Sequence, residues 1–242
     1  MTDRGVSDVV GFVLVFALVV ATVGVVYTTG LTGLQSVRHG ERVTNAERAF
    51  DVLQSNGNDV LHRGAPARST EIRLSGARLG PGDPVDVNVT AGPNESVHAS
   101  VTPLVYSLGD TRLVYVEGAV IRVDHGYASM RSPPSVQFGS RALVPLVDTY
   151  FPSQGSINGQ TRVLVGMRVP TPNYRSSSAF TDTGGTVNVT VTTTRPGPWK
   201  RYFASHGASC TEASDGNRTA VTCELSADAV VVSRTSIGVS VG

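Results

Sequence analysis

The run Val9–Val26, VVGFVLVFALVVATVGVV, constrains this chain more than any other stretch. None of its residues is charged, and the charge-free sequence continues to Val37 before Arg38 interrupts it. A helix needs about 20 mostly apolar residues to cross a hydrocarbon core of about 30 Å, and this run reaches that length. It has no polar stripe, whereas the surface helix of a soluble domain keeps one wet face. The other reading, a helix buried in a protein core, suits shorter apolar runs better. Everything downstream is more polar and has the character of a domain facing the outside of a cell.

Three fates are open for this segment. A secretory signal has a basic leader, an apolar stretch of about 7 to 15 residues and a small-residue cleavage site. Here the apolar stretch is longer, and Ala21, the nearest site for cutting, would leave Val23–Val26 on the new terminus. The segment could instead stay uncleaved as a membrane anchor, or be trimmed ahead of its apolar part. The last fate is favoured by the run Arg4-Gly5-Val6-Ser7-Asp8-Val9-Val10-Gly11. It resembles the start of archaeal type IV pilin-like precursors, especially those of haloarchaea. In that family a prepilin peptidase cuts after a basic and a small residue, ahead of the apolar helix. The resemblance implies processing between Gly5 and Val6, with the helix kept on the mature protein. Only Lys200 is a lysine among 20 basic residues, a depletion that fits a GC-rich genome of haloarchaeal type.

Beyond the apolar run the pattern changes. Ser7 or Asp8 is placed to cap a helix start. Thr28, Thr29, Gly30, Thr32 and Gly33 are expected to loosen the helix near the membrane edge. Val43, Ala46, Phe50, Leu53, Gly57 and Val60 then recur three and four apart, which makes one face of a helix. Asn56-Gly57-Asn58 is expected to break or end it, with Asp59 to His62 adding a last turn. This amphipathic half would serve as the stem of a pilin-like helix or pack on the domain that follows. Gly64-Ala65-Pro66 closes the helical region.

From there the period becomes two, as in half-buried strands. Alternating or apolar runs fall at 71–74, 85–89, 104–108, 112–116, 119–123, 142–147, 162–169, 186–194, 220–225 and 229–233, with 236–241 as a last candidate. Gly109-Asp110 and Glu117-Gly118 are expected to form tight hairpin turns, and Asp124-His125-Gly126 another turn. Arg175 to Ser178 reads as a flexible loop. The expected class is α+β: a long N-terminal transmembrane or stem helix, then an antiparallel β-sandwich-like head, because helical crossovers are lacking. The expected division is a leader 1–5, a hydrophobic and amphipathic helix 6–62 and an extracellular β-rich domain 63–242. Pro198–Phe203 carries the single Trp. It is expected to form a short helix whose aromatics cap the sheet, or else an exposed aromatic-basic contact for a glycan or partner.

Two cysteines, Cys210 and Cys223, lie near the C-terminus. A disulfide is the default in an oxidising compartment, and two buried free thiols are the alternative. Four sequons, at Asn88, Asn94, Asn188 and Asn217, all follow the apolar run and are candidate N-glycosylation acceptors. Asn88 and Asn188 sit in Asn-Val-Thr triplets within strand patterns, where a solvated polar strand face is the competing reading.

No chemistry-bearing constellation appears. His39, His62, His98, His125 and His206 show no paired-ligand spacing, and neither a nucleophile elbow nor a phosphate-binding loop is present. The carboxylates are scattered. Arg63, Arg68, Arg73 and Arg78 recur every five residues, matching neither helix nor strand, and read as solvated. Net charge is +1, which gives no electrostatic case for nucleic acid. The expectation is no enzyme, no metal and no cofactor. The pilin-like resemblance extends over the helix and first strand, the Leu113–Val123 hairpin and the Trp199–Phe203 turn. It implies a cell-surface structural protein, a minor or tip subunit of a type IV pilus-like filament. Its partners would be the membrane, prepilin peptidase, other pilin subunits and an assembly platform. The alternative is a membrane-anchored extracellular β-sandwich binding module that never enters a filament.

Overall fold

The computed structural model describes residues 3–92, 95–153, 155–170, 175–181 and 183–242, with backbone alone at 3–8 and 29–36. Helix α1 (Asp3–His62) comes first. It is followed by β1 (Ala67–Arg73), β2 (Arg78–Pro81), β3 (Val85–Ala91), β4 (Glu95–Val101), β5 (Leu104–Leu108), β6 (Thr111–Val116), β7 (Ala119–Asp124) and β8 (Tyr127–Ser132). Then come β9 (Arg141–Tyr150), β10 (Ile157–Asn158), β11 (Arg162–Arg168), β12 (Arg175–Thr181) and β13 (Thr186–Thr193). Helix α2 (Pro196–Ser205), β14 (Ser209–Asp215), β15 (Arg218–Ser226) and β16 (Ala229–Val241) complete the order. An apolar helix therefore precedes a mostly antiparallel β domain. The chain divides into two compact units, residues 1–44 and 45–242, so that the last turns of α1 belong to the β-rich unit.

The strands form three sheets. One has the order β10-β2-β5-β6-β7-β8, a second β14-β15-β13-β3-β4, and a third β1-β11-β16-β12 with β9 also on β16. Nearly every pairing is antiparallel. The exception is β9 with β16, ten residue pairs in parallel from Ala229↔Arg141 to Gly238↔Tyr150. A parallel pair needs a long crossover, and here the connection runs through seven other elements, β10 to β15 and α2. One core draws on all three sheets: Val87, Val89 and Val189 from the second, Val114, Val116 and Ile121 from the first, Val144, Val230 and Val232 from the third. Trp199 and Phe203 of α2 are buried in it, so the expected aromatic helix is present. It starts at Pro196, where a proline at the first turn sacrifices no helical bond.

The hairpin turns form where Gly residues take positive φ: Gly109 at 59°, Gly118 at 71° and Gly126 at 85°. Glu117 and His125 also have positive φ, at 52° and 48°. The end of α1 matches its sequence signal. Gly64 has φ 71°, and Ala65 N–H donates to the Asp59 carbonyl six residues back (3.2 Å), the bond that closes a helix over a left-handed residue.

Three expectations are corrected. The helix does not loosen between Thr28 and Gly33, and its backbone is helical throughout. It does not break at Asn56-Gly57-Asn58 either. Gly57 is buried, and a Cβ there would collide with the Tyr115 hydroxyl and lie 3.6 Å from the Met167 sulfur; glycine serves a close approach at this site. Finally, Arg175–Ser178 is no loop but part of β12, paired with β16 from Arg175↔Thr235 to Thr181↔Ala229.

The Gly57 contact makes a double-mutant prediction. Ala favours a helix interior by about 1 kcal/mol over Gly, yet Gly57→Ala should lower unfolding stability by about 1–3 kcal/mol through overpacking against Tyr115. In a Tyr115→Phe background the same change should become neutral or stabilising. Urea unfolding of the four proteins measures the coupling, and an equal effect in both backgrounds would refute the contact.

Candidate functional site: the apolar helix and the seat of its last turns

In the first unit, Val9–Thr28 is the one span among the described residues long and apolar enough to cross a membrane. Its side chains are exposed all round, including Phe12, Leu14, Phe16 and Leu18. At about 1.5 Å per residue, 20 residues cover about 30 Å, the thickness of the hydrocarbon core. The two threonine hydroxyls on it are internally satisfied. Thr22 Oγ1 donates to the Val19 carbonyl (2.9 Å) and Thr28 Oγ1 is 3.0 Å from the Gly24 and Val25 carbonyls. Such back-bonding leaves neither threonine hydroxyl asking for water, which is what lipid requires, and the remaining hydroxyl belongs to Tyr27, next to the last residue of the span.

In the second unit, the last turns of α1 cover one face of the first sheet. Ala46, Phe50, Leu53, Gly57 and Val60 are all buried, as their spacing predicts. Phe50 meets Tyr106 of β5 edge-on, with ring centroids 6.3 Å apart. Gln54 Nε2 donates to the Gly118 and Pro133 carbonyls, each at 2.8 Å. Alternation along β6 explains the rest. Tyr115 turns toward Gly57 of the helix, while Val114 and Val116 enter the three-sheet core, so β6 is buried on both faces.

A charged cluster tightens this seat. Glu47, only 6% exposed, accepts from Arg122 Nη1 at 2.6 Å and pairs with Arg131 Nη1 at 3.0 Å. Arg131 also reaches Asp51 (3.2 Å), and Arg122 pairs with Asp124. The Thr111 hydroxyl, at 2.7 Å, and then the Arg122 guanidinium hold Asp124 below the usual carboxylate range. The register slips between Val120 and Ile121, which pair with Ser132 and Met130. Arg131 is therefore the extra residue of a β-bulge, and bulges re-aim side chains; here the bulged residue meets Glu47 and Asp51 of the helix. Two arginines on one nearly buried carboxylate repay its desolvation, which a lone partner does poorly.

Beside this seat lies a second buried carboxylate. Glu117, in the hairpin turn that Gln54 holds, is 4% exposed. Its Oε2 accepts from the Val147 N–H at 2.8 Å, and its Oε1 has no hydrogen-bond partner among the described residues. Burial pushes its pKa up to about 8, and the neighbouring Asp148 adds to the rise, against the Val147 bond and Arg234. Nothing in a Glu-Gly hairpin signals that the acid turns inward, and the bulge at Arg131 has no sequence mark.

The residues singled out from sequence do not converge. Gly5 and Val6 lie within the backbone range of α1, and their side chains are outside the described ones. Cys210 and Cys223 form a disulfide between directly opposed residues of β14 and β15. Asn88 and Asn188 are half-buried on neighbouring central strands β3 and β13, where Asn88 pairs with Thr190 and Asn188 with Thr90. They form one polar sheet face, across which the Thr190 and Thr222 hydroxyls bond at 2.9 Å. Asn217 sits exposed in the turn between β14 and β15, the placement a glycan needs. Asn94 lies outside the described residues.

Glu117 carries a pH prediction. Below about pH 4.5 the carboxyl is protonated in both folded and unfolded chains. As pH rises, the unfolded chain releases the proton while the folded chain keeps it, so stability is lost progressively until about pH 8. Glu117→Gln should abolish this component, so that the melting temperature of the wild type falls relative to the variant between pH 5 and pH 8. Parallel melting profiles for the two proteins would overturn it.

No curated protein and no solved structure matches the chain. One family does match, over residues 4–240, spanning both the apolar helix and the β-rich unit. The chain belongs to that family, described as a family of unknown function (DUF7289).

Proposed function

We propose that the chain is a pilin-like cell-surface structural protein. A prepilin peptidase trims it between Gly5 and Val6, the apolar helix holds it in the membrane, and the β-rich head, sandwich-like in organisation, faces the outside. The same helix then packs with those of other subunits into the core of a type IV pilus-like filament on an assembly platform, where the size of the head suits a minor or tip subunit. The carrying observation is the span Val9–Thr28: apolar, charge-free, unburied, with its threonine hydroxyls bonded to its own carbonyls. A face of this kind packs on lipid or on another helix like it. The disulfide and the exposed sequon at Asn217 support an oxidising, external setting for the head.

The test is the mature N-terminus, read by mass spectrometry on protein purified from its native membrane. A start at Val6 is expected, with the protein recovered in sheared surface filaments. Gly5→Leu should leave the leader in place and keep the protein in the membrane fraction. An intact Met1 or Thr2 in cells with active prepilin peptidase would overturn the processing step. Wild-type protein that starts at Val6 yet never leaves the membranes on shearing would overturn filament membership.

A further inference from the structure

Two adjoining concavities, of about 700 and 540 Å³, open on the β-rich unit. The first lies along β2, β5 and the loop after β2, and the second between β8 and the start of α2. Both are lined by Arg112, Arg195 and Asp83. Arg78 lines the first alone, and Arg201 and Tyr127 the second alone. The groove thus gathers four guanidiniums around a single carboxylate. None of the four forms an ion pair with a carboxylate among the described residues. Arg78 Nε bonds the Ser156 hydroxyl (2.9 Å) and Arg201 Nη2 the Ala128 carbonyl (2.5 Å), which orients them without neutralising them.

Arg195 is the telling one. It is half-buried at the entry to α2. Its desolvation, and then the like charge of Arg112, hold it below the usual guanidinium range, with Asp83 opposing. Taking a cation out of water beside a second cation costs free energy unless an anion repays it. Guanidiniums present forked donors that match carboxylate and sulfate oxygens. Tyr127, at 85% exposure, offers an aromatic face at one end, and Ser107 and Thr194 add neutral hydroxyls along the walls. Sequence-tolerant binding of single-stranded nucleic acid uses successive exposed stacking platforms, and this groove has one, Tyr127, the other lining ring, Phe151, being half-buried.

We propose that this arginine-lined groove binds an acidic carbohydrate, a chain of sugars bearing carboxylate or sulfate groups. The arginines take the anionic groups, and Tyr127 stacks on a sugar ring. The site needs only the β-rich unit, so it stands or falls independently of filament assembly.

The test uses the full chain in detergent micelles and fluorescence anisotropy with labelled oligomers. The probes are a tetragalacturonate, a heparin-derived tetrasaccharide, a neutral galactan tetrasaccharide and an oligothymidylate. At least one acidic sugar should bind at least about tenfold more tightly than the neutral one, and the first two probes tell carboxylate from sulfate. The double variant Arg112→Ser, Arg195→Ser should lose at least about tenfold of that affinity, the scale of one or two charge-assisted bonds. Tyr127→Ala should lose a few-fold, and Arg63→Ser, outside the groove, should change nothing. Circular dichroism checks each fold. Should the double variant not fold, Arg112→Lys, which keeps the charge and loses the fork, should weaken binding on its own. No binding of either acidic sugar, equal binding of the neutral sugar, oligothymidylate bound as tightly, or unchanged affinity in the folded arginine variants would each overturn the proposal.

Discussion

A six-stranded sheet has two faces, and the shared core of this domain lies under only one of them. The other must be kept from water, and the last turns of α1 do it. Phe50 against Tyr106, Gly57 against Tyr115 and Gln54 on the Gly118 carbonyl fix the helix at three levels of the sheet. The Glu47 cluster then sets its rotation, since a nearly buried carboxylate tolerates little displacement from its two arginines. Without this cover, Tyr106, Leu113 and Tyr115 would form an exposed apolar patch of the kind that drives aggregation. These last turns are thus part of the fold of the β-rich unit and not an appendage to it.

How much of this was legible follows from where each strand lies. Central strands such as β3, β6 and β13 bury alternate residues or nearly all of them and announce themselves by hydrophobic period. The strands that escaped reading are mostly edges: β4 and β14 at the two sides of one sheet, β8 at the side of another, β12 beside β16. Edge strands of native sheets carry polar residues that discourage pairing with other chains, and β14, SCTEASD, and β12, RSSSAFT, are almost wholly polar. A reading based on apolar alternation passes over them. The same logic explains Gly57. In one dimension, Asn-Gly-Asn is a helix breaker, and only the tyrosine on a distant strand makes it a packing device.

Sites were less legible than elements. The apolar helix is local and shows itself in any sequence window. The arginine groove is not local: Arg78 comes from β2, Arg112 from β6, Arg195 from the entry to α2 and Arg201 from within it, and Arg78 had seemed one more member of a solvated series. A net charge of +1 averages such a concentration away. Charge clusters assembled by topology are invisible to composition, just as the inward turn of Glu117 is invisible to a hairpin signature.

The position of β16 has an implication for biogenesis. Residues 229–241 pair with β9, β11 and β12 and so form the centre of their sheet, although they come after every other strand in chain order. Until they emerge, β9 and β12 have lost their common neighbour, and β9, made some ninety residues earlier, has nothing to pair with in that sheet. Contacts so distant in sequence form late. The domain is therefore kept open for as long as the chain is being made, and it locks shut only when its final strand is available.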